Sequence, residues 1–113
     1  MKIGVLINLD TNDFENKFKQ VHDFGLSSCQ LCCWNHELMT EQNAEKVKEY
    51  RKKYGVEIST FWCGWSGPSI WNFYDGPITL GLVPAAYRFK RVEELKHGSD
   101  FAKMIEVENI ATH

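Results

Sequence analysis

Apolar positions along the chain follow two rhythms, the two-residue period of a strand and the three-to-four-residue spacing of a helix face. Ile3, Val5 and Ile7 alternate with Gly4, Leu6 and Asn8. Because Leu6 is apolar as well, the segment predicts a strand buried on both faces, as in a parallel sheet. Phe14, Phe18 and Val21 then recur at helical spacing. Asn12 with Glu15 has the form of a capping box and Gly25 supplies a stop, so a first helix is expected over about residues 12–24. Cys29–Trp34 predicts a second strand. A charged helix follows, started by Thr40, with Ala44, Val47, Tyr50 and Tyr54 inward, and ended by Gly55. Val56–Cys63, rich in β-branched and aromatic residues, predicts the third strand.

Strand starts near residues 2, 29 and 57 lie about 27–28 residues apart, the length of one strand–loop–helix–loop unit. The units share little sequence, so the repeat is architectural. A third helix is expected over about Arg88–Ile105, with Phe89, Val92, Leu95, Ala102 and Ile105 on one face, and a fourth strand at Val107–Thr112. Between the third strand and that helix, about 24 residues, Gly64–Tyr87, hold four glycines and all three prolines. Loops this long are usually functional, and this one follows the carboxyl end of a strand, where α/β proteins build their sites.

Thirteen Lys+Arg against fifteen Asp+Glu leave a net charge of -2, so there is no basic field for nucleic acid or an anionic membrane surface. No apolar run approaches the ~20 residues that span a bilayer, and Met1–Asn8 turns polar too soon for a secretion signal. A single cytoplasmic domain over residues 1–113, without nucleic-acid or membrane partners, is the expectation. Cys29, Cys32, Cys33 and Cys63 read as reduced, buried small hydrophobes: within a strand, residues 29 and 32 face opposite sides, which suits neither a zinc nor a redox motif.

Aromatics reach 13% and crowd the long loop: Trp65, Trp71, Phe73 and Tyr74 lie in it, with Trp62 before and Tyr87 at its end. Flat rings stack on the C–H faces of sugars, which makes the stretch from Gly64 a candidate pocket wall; sealing the barrel end or a subunit contact is the structural alternative. His113, at the end of strand four, takes the rim position where parallel barrels place ligands and acid/base groups. His36 and Glu37 follow strand two on the same rim, whereas His22 and His97 belong on helix surfaces. There is no dinucleotide fingerprint, phosphate loop or serine nucleophile elbow.

The order of these features, from Met-Lys-Ile-Gly-Val in strand one through Trp62-Cys63-Gly64-Trp65, Leu82-Val83-Pro84 and Arg88 to Ile110-Ala111-Thr112-His113, resembles the amino-terminal half of the xylose isomerase-like TIM barrels, the sugar phosphate isomerase/epimerase family. The resemblance runs over the whole chain and implies a parallel (βα) half-barrel, with four strands in order 1-2-3-4 and three helices. It implies a parent enzyme that moves a proton or hydride at a sugar carbonyl and its adjacent carbon with Mn²⁺ or Mg²⁺. His113 would match a catalytic rim histidine, and Trp34, Trp62 and Trp65 the substrate-facing positions. The family's metal-holding Glu, Asp and His come from strands five to eight, so this chain is expected to hold no metal and to be inactive alone. The alternative is a non-catalytic or engineered half-barrel that self-assembles. Either way its open edges need a partner, a second copy or a missing half. A flavodoxin-like strand order is the fallback fold. The family usually has glycine in the turn before strand four, where this chain has Glu106. An altered chain path or an alteration of the parent sequence would each account for it.

Overall fold

The computed structural model describes residues Met1–His113. Four strands, β1 (Val5–Asn8), β2 (Ser28–Cys33), β3 (Glu57–Cys63) and β4 (Ile110–Ala111), form one sheet in the order β1-β2-β3-β4, every pair parallel. The helices are α1 (Phe14–Asp23), α2 (Glu41–Tyr54), a single turn α3 (Gly76–Thr79) and α4 (Ala85–Met104). Three long helices on one side of a sequentially ordered sheet make a half-barrel and exclude the flavodoxin-like order. The single turn α3 inside the long loop is an addition to the three helices expected. No helix is long and apolar enough to cross a membrane.

The core is one layer between sheet and helices: Phe14, Phe18 and Val21 of α1, Ala44 and Val47 of α2 and Phe101 and Ala102 of α4 meet Ile7, Cys29, Leu31, Cys33, Ile58, Phe61 and Cys63. The opposite, inner face is open. Leu6 on it is 53% exposed, and Gln30 and Thr60 are half-buried. Strand one is therefore buried on one face, correcting the two-faced reading: the side that a closed barrel would cover faces solvent. Because Gln30 and Thr60 stand in register across this face, it is more polar than the apolar runs implied.

A one-residue bulge sets which side chains look inward. Cys29 pairs with Ile58 but Gln30 pairs with Thr60, leaving Ser59 extra, its hydroxyl donating to the Cys29 carbonyl at 3.1 Å. The bulge reverses the alternation, so Phe61 and Cys63 join Ile58 on the helix side and Trp62 turns inward.

The three long helices end alike. Leu26 and Val56 donate to Val21 and Arg51, with Gly25 (φ 72°) and Gly55 (φ 64°) between, as in a Schellman motif. After α4, Val107 donates to Ala102 and Glu106 to Lys103, and the left-handed position is held by Glu106 at φ 58°. Glu106 thus takes the left-handed position that glycine holds after α1 and α2.

Thr40 caps α2, its hydroxyl accepting from the Asn43 amide at 3.2 Å. The capping box at Asn12 does not form. The Asn12 amide donates to Asp10, Asp13 occupies the N-cap, and Glu15 is drawn to Lys53 (2.6 Å) and the Tyr54 hydroxyl (2.8 Å). Helix α4 starts earlier than expected, its buried face holding Arg91, Gly98, Phe101 and Ala102. Phe89 is 83% exposed. The pattern misled because Leu95 and Ala102 are on that face and Phe89, half a turn away from Arg91, is not. β4 is shorter than its prediction, only Phe61–Ile110 and Trp62–Ala111 being paired.

Candidate functional site

Parallel strands deliver their next residues to one rim, and the bulge at Ser59 places Trp62 on the inner side of it. Trp34 directly follows β2, Trp65 lies just beyond β3, and His113 follows β4. The structure brings all four together, in positions that sequence reasoning assigned separately. Ring centroids are 4.8 Å apart for Trp34–Trp62, 4.9 Å for Trp34–Trp65 and 5.7 Å for Trp62–Trp65. The His113 imidazole lies 5.7 Å from both Trp62 and Trp65. Trp71, from the long loop, closes on it at 4.8 Å, edge to face. Trp71 belongs to the loop aromatics of the candidate wall, and only the fold of the loop places it over His113.

The close approach of Trp34 needs a glycine. A Cβ on Gly64 would stand 2.6 Å from Cε3 of that indole and 2.9 Å from its Cα. Trp65 is the centre of the cluster, 4% exposed, and its Nε1–H is buried with no acceptor in the chain. Trp34 and Trp71 are 41% and 57% exposed, so the outer rings face solvent. No carboxylate belongs to this wall.

Behind the wall the chain is tied by polar groups. His36 Nε2 lies 2.8 Å from the Gly64 carbonyl, to which it donates, and its ring faces His97 at 5.9 Å; it joins the β2 and β3 loops rather than lining the rim. Glu37 is exposed. The Glu94 carboxylate accepts from the Ser66 amide at 3.0 Å. Burial works to raise its pKa, but the Ser66 hydrogen bonds and the charges of His36 and Lys90 outweigh it and hold the carboxyl below the ordinary value.

The cysteines are free and buried. Burial pushes Cys29, Cys33 and Cys63 up to about 12 and Cys32 to about 11. They are packing residues. No three His, Cys, Asp or Glu side chains converge in a metal-holding group. Asp10, beyond β1, is engaged by Lys17, and His113 is walled by indoles, so the residues present do not fit a divalent cation. A charged cleft of about 620 Å³ lies between Glu45, Lys48, Glu49, Arg51, Lys52 and Glu106 at the other end of the strands.

No protein-family model matches the sequence, and no curated protein matches it. Solved structures do. A xylose isomerase domain protein from Planctomyces limnophilus superposes with a TM-score of 0.85 at 24% identity, over 98% of this chain and 40% of that one. The 3-keto-D-glucoside 4-epimerase YcjR from E. coli, in its apo form, superposes with a TM-score of 0.61 at 15% identity, over 98% of this chain and 38% of that one. The chain thus spans about 40% of the length of the structures it matches. Four parallel strands in sequential order, with their helices on one side, have the xylose isomerase-like TIM-barrel fold over a half-barrel.

Proposed function

We propose that the chain is the amino-terminal half of a sugar or sugar-phosphate isomerase or epimerase and supplies its substrate wall. The observation that carries this reading is the His113 imidazole set among Trp62, Trp65 and Trp71 at the carboxyl ends of parallel strands. The indoles give a sugar's C–H face a flat apolar surface, and the imidazole gives a hydroxyl or carbonyl oxygen a hydrogen-bonding partner able to move a proton. Both structural neighbours are proteins whose names point to sugar isomerisation or epimerisation, which supports the same substrate class. The Mn²⁺ or Mg²⁺ of such enzymes is assigned outside this chain, and no step here runs through it. The free edges of β1 and β4 are closed, in this reading, by a second four-stranded half, in the simplest case another copy of the chain.

Indole fluorescence titrated with a panel of keto-sugars and their phosphates tests the wall. Saturable quenching is expected, lost in Trp62→Ala and weakened about ten-fold in His113→Ala, the loss of one hydrogen bond to a charged or polar partner. A panel without saturable change refutes the reading. Sedimentation across a concentration series tests closure: a compact monomer throughout removes the second copy.

A further inference from the structure

We propose that Arg91 is a positioning residue: its guanidinium, caged by carbonyls from both arms of the 64–84 loop, assembles the wall of indoles around His113. The side chain is the largest of those fully buried, at 1% exposure, yet it has no carboxylate in salt-bridge contact. Nη1 donates to the Thr79 and Gly81 carbonyls, both at 2.7 Å, Nη2 to Pro68 at 2.9 Å and Nε to Ser66 at 3.3 Å. Ser66 and Pro68 belong to the outgoing arm of the loop, Thr79 and Gly81 to the returning arm. No main-chain hydrogen bond joins these arms. Apart from the Thr79 hydroxyl, which reaches the main chain of Ile70, the guanidinium is the polar link across the base of the loop.

Each arm then meets the wall. Trp65 immediately precedes the outgoing arm, and its ring lies 5.5 Å from the guanidinium carbon; Tyr87 packs at 4.8 Å. On the returning arm, Leu82 donates its amide to the His113 main-chain oxygen at 2.8 Å. Gly81, at φ 59°, lies so close to that main chain that a Cβ would collide with it. One planar cation therefore sets Trp65 on one side and braces His113 on the other. A buried charge persists only where dipoles and π faces replace its water, and four carbonyls with two rings do this here. A lysine ammonium has three donors on one nitrogen and cannot span carbonyls spread around a planar fork.

This inference goes beyond the sugar reading, because it concerns whether the wall forms with no ligand present. The test is Arg91→Met in the ligand-free protein, read by the ring-proton shifts of His113, the near-ultraviolet circular dichroism of the indoles, chymotrypsin cleavage at Trp71–Tyr74 and amide exchange. Expected are His113 shifts moving to those of a free imidazole, an indole signal reduced by about half, and cleavage about ten-fold faster, with β2 and β3 amides still protected. Val47→Ala, which loosens the core away from the loop, is expected to leave the His113 and indole signals in place. Wall signals unchanged in Arg91→Met, or moved as far by Val47→Ala, overturn the proposal. Should Arg91→Met fail to fold, Arg91→Lys decides: an intermediate displacement supports the carbonyl cage, and wild-type signals overturn it. Failure of every sugar to bind leaves these readouts untouched, so the two conclusions fail separately.

Discussion

Replacing Glu106 by glycine is expected to stabilise the protein, and the chain carries its own controls. Gly25, Gly55 and Glu106 occupy the same position of three Schellman motifs, all with positive φ. An L-residue there costs about 1–2 kcal/mol through its Cβ, while glycine forfeits about 0.4–1 kcal/mol through the freedom of its unfolded chain. The Glu106 carboxylate also sits at the negative end of α4, worth about 0.3 kcal/mol against it. The net expectation for Glu106→Gly is about 0.5–1 kcal/mol of added stability, or about 2–4 °C in melting temperature for a domain of this size. The motif itself survives, because Arg51 Nη1 bonds the Ile105 carbonyl at 2.7 Å and needs no Glu106 side chain. Gly55→Ala should cost about 1 kcal/mol, and no atom within 4 Å of its Cβ confuses the comparison. Urea unfolding followed by circular dichroism measures both. If Gly55→Ala destabilises as expected but Glu106→Gly gains nothing, the strain argument is refuted, and the Glu106 carboxylate must be supported by Lys48 or Arg51 across the charged cleft.

Three further outcomes follow from the same structure. The raised thiols predict that native protein reacts slowly with a disulfide reagent at pH 8, and that stability falls with pH: the folded thiols keep their protons to about 11–12 while unfolded ones lose them near 9.0, so stability is full below 9 and declines above it. Rapid reaction of any cysteine without unfolding would contradict their burial. Gly64→Ala should drive the Trp34 indole from its place, costing about 1–3 kcal/mol and changing the near-ultraviolet spectrum; an unchanged spectrum would show that the wall yields freely. Calorimetric titration of the chain with Mn²⁺ should show no stoichiometric micromolar binding, and binding abolished by His113→Ala would reverse the assignment of the cation site elsewhere.

Much of the architecture was legible because it depends on local chemistry. Gly25 and Gly55 stop helices through their own φ, Thr40 caps through its own hydroxyl, and strand-length apolar runs at a regular interval describe parallel β–α units. The candidate wall was legible in part: His113 from its place at a strand end, Trp62 and Trp65 from the aromatic loop, and Trp34 only through the family resemblance; the structure gathers them.

What the sequence could not decide depended on competition between distant groups. Glu15 suits a capping box, but Lys53 and Tyr54, brought beside it by the packing of α1 on α2, offer a charge and a hydroxyl in place of one backbone amide. The inward turn of Trp62 rests on a single extra residue at Ser59, because a period of two is reversed by a slip of one. Phe89 read as core, since an apolar group is expected to be buried, and nothing in the sequence singled out Arg91; the carbonyls of Ser66, Pro68, Thr79 and Gly81 converge on one point only after the loop has folded, and their dipoles then make the arginine the buried residue. Sequence alone determined the local elements and their order, and tertiary structure decided which side of each element meets water, since burial is a property of what the rest of the chain leaves uncovered.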